Sequence, residues 1–314
     1  MTALSTTVTG AWRDGDPAGR RLFAALPGLA LERGGTLPRV RLAYETWGRL
    51  NAQRDNAVLV LHAMSGDSHA TGDIEPGHPS PGWWQGVVGP GLGIDTDRWF
   101  VVCPNVLGGC QGSTGPSSTA PDGRPWGSRW RSITIRDQVA TCRVQIEAIR
   151  TDPNWHGGDY YDEPDGPAAG MAIARRIAHL TYRCAEEVDT RFGRAATTGD
   201  DPLSEGFAVE SWLDHSATSL QNRFDAGSYV ALTEAMNTHE IGRCRGGTAT
   251  ALRRIRARPT IIGVDSDRLY PLHQQTELAD LLGVDLQVIR SQRGHDGFLV
   301  ETDQVNPVLA GALA

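Results

Sequence analysis

The sequence predicts an α/β protein in which a mostly parallel sheet is interrupted by a helical insertion. Three observations predict it. Short apolar runs followed by polar loops, the pattern of buried parallel strands, occur towards both ends of the chain. The middle, from Asp152 to about Arg256, carries helical periodicity and polar loops instead. A carboxylate and a histidine, Asp267 and His295, each stand just past one of the last two apolar runs.

Residues 1–36 read as a polar tail followed by a short edge element. VRLAYETWGRL (40–50) predicts a strand running into a turn. NAVLVLHAM (56–64) predicts a buried strand that ends in the polar loop SGDSHATGD. RWFVVCPNV (98–106) predicts another, followed by the glycine-rich loop LGGCQGSTGPSS, and TIRDQVATCRVQIEAI (134–149) a helix. AAGMAIARRIAHLTYRCAEEV (168–188) reads as one amphipathic helix, with SWLDHSATSLQNRF and SYVALTEAM as further helices. PTIIGV (259–264) and LQVI are strands, LHQQTELADLL lies between them as helix, and VNPVLAGAL closes the chain as helix. Strand–helix alternation at both ends implies a parallel sheet. The helical middle reads as a lid over the sheet's C-terminal edge, where such folds bind ligands. The expected division is therefore 1–149 as the first part of the core, 150–256 as the lid and 257–314 as the part of the core that carries Asp267 and His295.

Composition narrows the function. With 314 residues, 39% of them hydrophobic, the chain can bury a sizeable core. A net charge of −7 argues against a general nucleic-acid or bilayer-surface role. All 30 basic residues are arginine, which excludes a lysine Schiff base or a P-loop lysine. Five cysteines, Cys103, Cys110, Cys142, Cys184 and Cys244, form no C-x-x-C pair and read as free thiols in a reducing compartment. The polar start MTALSTTVTGAWRDGD has no apolar signal core. No stretch approaches the roughly 18 apolar residues of a membrane span. The expectation is a soluble, cytoplasmic protein with neither nucleic-acid nor membrane partners.

Asp267 lies in SDRLYP and His295 in GHDGF. A carboxylate and then a histidine, at successive strand ends, match the last two members of the Ser…Asp…His set of the α/β-hydrolase fold. From spacing alone, a turn aspartate and a surface histidine remain an open alternative. The fold places its serine upstream in a G-x-S-x-G elbow, and no G-x-S-x-G occurs in this chain. Ser113 in QGSTG and Ser204 in PLSEG are each one glycine short, and both read better as structural. Cys142 could supply a thiolate nucleophile but reads as an ordinary helix position. His62, His69 and Asp73 invite a zinc reading, but their spacing matches no common ligand set, so no metal is expected. GPGLG is too short for a dinucleotide fingerprint.

Longer segments carry a resemblance. LAYETWGRLN (42–51), LHAMSGDSH (61–69), NVLGGCQGSTGPSS (105–118), DPNWHGGDYY (152–161), ARRIAHLTYR (174–183), RFDAGSYVALTEAM (223–236), SDRLYP (266–271) and GHDGFLVE (294–301) together resemble the homoserine O-acetyltransferase family. These are acyltransferases of methionine biosynthesis with an α/β-hydrolase fold. The matches run from about residue 40 to 301, in the family's order.

The resemblance implies roles. His295 would be the general base, first toward a serine and then toward the incoming hydroxyl, with Asp267 fixing its tautomer. LHAMSGDSH would supply one oxyanion-hole amide, near Met64 or Ser65. Arg175 resembles the position that holds the homoserine carboxylate and Tyr182 one that lines the pocket; seven apart, they fall on one helix face. Asp296 resembles the residue that takes the substrate ammonium. Without the resemblance Arg175 would read as a solvated arginine, with Arg176 and Arg183 equally available. The implied reaction is ping-pong transfer of an acetyl group from acetyl-CoA to L-homoserine. Acetyl-CoA enters as donor substrate, no cofactor is implied, and a homodimer through the lid helices is.

One departure stands out. In the family a G-G-S-M-G-G elbow segment lies between the matches to TIRDQV and IEAIRTDPNW. Here Val139 is followed almost directly by ATCRVQIEAIR. A strand–helix–strand crossover takes a dozen or more residues, so the central strand, elbow, helix and following strand are missing, on the order of 50 residues. Three alternatives stay open beside the acetyltransferase reading: a non-catalytic remnant or homoserine-binding protein, catalysis through another nucleophile, and transfer of succinyl instead of acetyl.

Overall fold

A computed structural model describes residues 8–26, 28–31, 36–130, 133, 146, 149–199 and 206–314. The chain divides into two compact units. The first gathers Met1–Gln85, Thr96–Arg175 and Ser216–His239; the second gathers Gly86–Asp95, Arg176–His215 and Glu240–Ala314.

The first unit holds a four-stranded sheet of β1 (Leu22–Leu26), β2 (Val40–Trp47), β3 (Ala57–Leu59) and β4 (Phe100–Pro104), in the order β1-β2-β4-β3. β1 runs antiparallel to β2, with Leu22 opposite Tyr44. β2 is antiparallel to β4, whereas β3 and β4 are parallel with Val58 opposite Val101. β4 buries the alternate residues Val101 and Cys103, as a period of two requires.

β3 departs from its expected burial. It is short, and among the described residues its outer edge has no partner. Leu59 and Leu61 are 64% and 66% exposed. A parallel strand is buried only when neighbours and helices cover both its sides, and among the described residues β3 has a neighbour on one side alone.

The core of this unit forms around Tyr160, Phe224, Tyr229, Leu220, Ile149 and Leu232. Of the named helices, two contribute more than one residue each to it. α1 (Ala168–Tyr182) contributes Met171 and Ala174, and α4 (Ala226–Asn237) contributes most of its length. Asp225 caps α4 by accepting from the Ser228 N–H at 2.7 Å. The same fully buried carboxylate accepts from Tyr160 at 2.6 Å, Tyr161 at 3.0 Å and Thr9 at 2.8 Å. Four donors make a buried charge tolerable, and they explain why the DYY and RFD segments are built as they are.

The second unit holds the parallel pair β5 (Ile261–Val264) and β6 (Leu286–Ile289), with Val264 opposite Ile289. α6 (Leu272–Leu282) connects them and ends at Gly283, whose left-handed backbone (φ 69°) closes the helix. α8 (Thr302–Ala312) buries Val305, and its Asn306 side chain accepts from the Gly93 N–H at 3.0 Å.

The stretch 168–188, expected as one helix, is two. α1 stops at Tyr182, and α2 (Ala185–Phe192) starts after Cys184, which is extended at φ −83°, ψ 157°. The cause is steric. Gly294, at φ +62°, packs into the break so closely that a Cβ there would stand 2.2 Å from the Tyr182 carbonyl oxygen. Cys184 also donates its S–H to the Gln292 carbonyl. Of the remaining helices, α3 (Ala208–Gln221) overlaps the predicted SWLDHSATSLQNRF segment, α5 (Thr248–Leu252) falls in the helical middle outside any segment named as helix, and the single turn α7 (Gly297–Val300) lies outside the predicted helices. Of the helix expected at 134–149, Ile146 and Ile149 are helical and buried, and the rest lies outside the described residues.

Candidate active site

β5 ends at Val264, and the chain turns through Asp265 and Ser266 to Asp267, whose N–H donates to the Val264 carbonyl at 3.2 Å. The Asp267 Oδ1 accepts from the backbone N–H groups of Leu269 and Tyr270, at 2.8 and 2.9 Å. Its Oδ2 is thereby aimed at the loop after β6. Two further bonds lace the loops together: Ser291 N–H donates to Asp265 Oδ1 at 2.9 Å, and Gly294 N–H to Ser266 Oγ at 3.0 Å.

His295 sits in the short 3-10 turn Gly294–Asp296, and its Nδ1 lies 2.8 Å from Asp267 Oδ2. An ionised carboxylate can only accept, so Nδ1 carries the proton and Nε2 keeps its lone pair. The ring is walled by Tyr270, Phe298 and Tyr182, with centroids 5.1, 5.5 and 5.7 Å away. A histidine held in one tautomer by a buried carboxylate, its second nitrogen left basic, is equipped to take a proton from a hydroxyl group.

Asp296, next in sequence, is already engaged. Arg183 Nη2 lies 2.8 Å from its Oδ2, Arg183 also binds Glu187 at 2.9 Å, and Glu187 holds Arg293 at 2.9 Å. Arg176, the other arginine that sequence left in contention, pairs with Asp214 at 2.6 Å. Arg175 belongs to the first unit. Its Nε is buried with no partner, and among the described residues no carboxylate pairs with it.

Met64 and Ser65 also belong to the first unit, in the loop after β3. The loop is a tight turn closed by Gly66 N–H to the Ala63 carbonyl at 2.8 Å. Arg223 Nη1 donates to the Ser65 carbonyl at 2.7 Å, and Thr233 Oγ1 contacts Met64 Sδ at 3.3 Å. A loop held at three points can present a backbone amide in a fixed direction. Sequence reading missed Arg223, although RFD was a quoted match.

The substitute nucleophiles fare poorly. Ser113 is buried and committed: its hydroxyl donates to the Asn105 carbonyl and accepts from the Ala43 N–H at 2.9 Å, tying β2 to the loop after β4. Burial pushes the Cys103 thiol up to about 12 and that of Cys110 higher still, so neither forms a thiolate at neutral pH. Ser204 and Cys142 lie outside the described residues.

One buried cluster offers metal-ligand atoms. Glu45, His69 and His78 place one such atom each within 4.8 Å of the others. The zinc set weighed from sequence is not this one. His62 accepts from the Val106 N–H at 3.1 Å, and Asp73 meets His69 through its backbone carbonyl at 3.3 Å. In the cluster, Glu45 accepts from His69 Nδ1 at 2.9 Å and from Ser68 at 2.9 Å, while His78 Nε2 accepts from the Arg20 N–H at 3.2 Å. The two imidazoles stack with centroids 3.9 Å apart. Burial, helped by the Arg21 charge, drives His78 down to about 4. Burial also opposes charge on His69, but its bond to Glu45 outweighs this and holds the pKa above the usual histidine value. Most of the ligand atoms are therefore occupied within the protein, and the cluster fits a structural proton network better than a metal.

An Asp–His pair hung from the ends of two adjacent parallel strands defines the acid–base half of an α/β-hydrolase-fold protein. Solved structures carry that fold with the same overall path. A homoserine O-acetyltransferase from Bacillus anthracis superposes with a TM-score of 0.83 at 23% identity, over 93% of this chain and 97% of that one. Esterase E22 superposes at 0.80 with 20% identity, over 94% and 99%. Fold alone therefore does not choose between transfer and hydrolysis. No family model matches the chain. Its sequence is 56% identical to the homoserine O-acetyltransferase of Thermobifida fusca strain YX, over 98% of this chain and 97% of the relative. The chain belongs to the homoserine O-acetyltransferase family, a family of acyltransferases. That alignment extends over 367 positions against 314 residues here, so the relative carries residues that face a gap in this chain.

Proposed function

We propose that the chain carries the homoserine-binding and proton-transfer parts of a homoserine O-acetyltransferase. The reaction served is acetyl transfer from acetyl-CoA to the γ-hydroxyl of L-homoserine, a step toward methionine. The observation that supports this most is the 2.8 Å His295–Asp267 pair in a chain 56% identical to an acetyltransferase. In the ping-pong route His295 Nε2 first passes the serine proton to the departing thiol, then takes the γ-hydroxyl proton as that oxygen attacks the acyl-serine and returns it to the departing serine. Arg175 receives the homoserine carboxylate, Tyr182 lines the pocket, and Asp296 offers the ammonium its second oxygen beside the Arg183 contact. An amide near Met64 or Ser65 faces the developing oxyanion, and residues 150–256 act as the lid.

The ping-pong route needs a serine that this sequence does not contain. Without an acyl-enzyme, turnover drops by several orders of magnitude. The chain as it stands is therefore proposed to bind homoserine and to transfer acetyl poorly. The test has two arms. The first follows the chain with acetyl-CoA and L-homoserine by thiol release and by mass spectrometry of the intact protein. The second repeats this after inserting, between Val139 and Ala140, the Thermobifida residues that face the gap. The proposal expects no adduct and little product in the first arm, and both an acetyl adduct and O-acetylhomoserine in the second. A folded second-arm protein that binds homoserine but makes no product would defeat it. Running succinyl-CoA in parallel decides the donor.

A further inference from the structure

The loop after β5 reaches the loop after β6 at several places, and one side chain spans the stretch that ends at His295. The entry of the second loop is held by Asp265. Its N–H donates to the Ile289 carbonyl at 3.0 Å, and its Oδ1 accepts from the Ser291 N–H at 2.9 Å. The far end is held by Ser266. The Ser266 hydroxyl donates to the Ser291 carbonyl and accepts from the Gly294 N–H at 3.0 Å. One oxygen thus grips the turn at both ends. It belongs to the residue immediately before Asp267, and it holds the residue immediately before His295.

The two members of the pair are fixed differently. Asp267 is pinned by the N–H groups of Leu269 and Tyr270, bonds in which Ser266 has no part. His295 is walled by aromatic rings, whose contacts are far less directional than hydrogen bonds. The place of its ring therefore follows the place of its backbone. Gly294 is buried, with a left-handed backbone that fits it into the helix break. A buried N–H that loses its partner bears the full cost of desolvation unless the backbone moves to find another. Removing the Ser266 hydroxyl would orphan two backbone groups in the turn that carries His295 and leave the anchors of Asp267 intact. The turn would shift against a stationary carboxylate, and the 2.8 Å bond is what the shift would lengthen.

We infer that Ser266 is a positioning residue whose hydroxyl sets the distance between Asp267 and His295 by holding the turn 291–294. It acts through the backbone of Ser291 and Gly294.

Imidazole nitrogen NMR of the full chain tests this, with isotope-labelled histidine and with the His295 signals assigned by their absence in His295→Gln. At mildly alkaline pH, where the ring is neutral, one nitrogen of the parent carries a proton and the other does not, so the two signals lie far apart. In Ser266→Ala they should move toward each other, to the averaged position of a ring that exchanges tautomers. Ser266→Thr keeps the hydroxyl and should keep the parent's spectrum. Ser266→Cys offers a weaker donor and acceptor, and should shift the signals the same way by less. It carries the comparison should Ser266→Ala fail to fold. Gly283→Ala is the control: it strains the left-handed end of α6 in the same unit, and its added methyl meets nothing within 4 Å. It should lower the unfolding midpoint and leave the His295 signals in place.

If Ser266→Ala and Ser266→Cys give the parent's spectrum, the inference falls. It falls equally if Ser266→Thr behaves like Ser266→Ala, or if Gly283→Ala moves the His295 signals as well, since the change would then report general loosening. A kinetic arm rests on the proposed function. In the protein restored by insertion after Val139, Ser266→Ala should lower kcat roughly 100-fold, the cost of misplacing a reacting group by about 1 Å. KM should stay within about twofold, because the hydroxyl holds the base and not the substrate. An unchanged kcat, or a loss confined to KM, overturns the inference. A restored parent without activity defeats the proposed function alone, and the nitrogen spectrum still decides for or against Ser266.

Discussion

His295 donates its Nδ1–H to Oδ2 of Asp267 at 2.8 Å, while Oδ1 of the same carboxylate is held by two backbone N–H groups. The aspartate cannot swing away, so the tautomer of the imidazole is fixed by the loop after β5 and not by the histidine's own surroundings.

Asp267→Asn should reverse that tautomer, because an asparagine amide donates to Nδ1 where the carboxylate accepted. Nitrogen NMR of the imidazole reads the change directly in the chain as it exists. In the elbow-restored protein the same substitution should lower kcat by roughly four orders of magnitude. An unchanged nitrogen spectrum would show that Asp267 does not set the ring.

Gly294→Ala should destabilise the chain. The left-handed backbone alone disfavours alanine by about 1–3 kcal/mol, and the added methyl would also meet the Tyr182 carbonyl. Urea unfolding should show a lower midpoint. A midpoint equal to the parent's would mean that the turn does not pack into the helix break.

The stacked imidazoles should give opposite pH responses. His78, at about 4 when folded, lies below the ordinary value near 6.5, so the unfolded chain takes up its proton first. Its contribution is present above about 6.5 and is lost as pH falls toward 4. His69 is raised, so its contribution is full below about 6.5 and is lost as pH rises through its folded value. Melting curves should therefore show the deficit of His78→Gln shrinking on acidification and that of His69→Gln shrinking on alkalinisation. Parallel deficits across pH would refute the proton network.

Thiol labelling should be selective. Cys103, Cys110 and Cys184 are buried and Cys244 is exposed. Brief alkylation at neutral pH, followed by peptide mapping, should modify Cys244 and spare those three. Early labelling of Cys103 or Cys110 would mean that the sheet of the first unit opens readily.

Much of this was legible in the sequence. LQVI and LHQQTELADLL were delimited to the residue, the helix by Pro271 before it and Gly283 after it. Asp267 and His295 were legible because the fold puts its chemistry at strand ends. The break at Cys184 was not, because the local pattern favours a continuous helix and the interruption comes from Gly294, far away in sequence. The exposure of Leu59 was hidden for a similar reason, since an apolar run reports that burial is wanted and not whether a neighbour exists. Arg223 was missed because a lone arginine at a helix boundary looks like a solvated cap until its bond to the Ser65 carbonyl is seen.

Among the described residues one side of β3 is bare, with a practical consequence for anyone handling this polypeptide. Backbone N–H and C=O groups flanked by Leu59 and Leu61 form a template that any extended apolar segment can zip onto, including the same strand of another copy. Concentration, more than temperature, should then limit how long a preparation stays clear. A lysine at position 59 or 61 is the economical remedy.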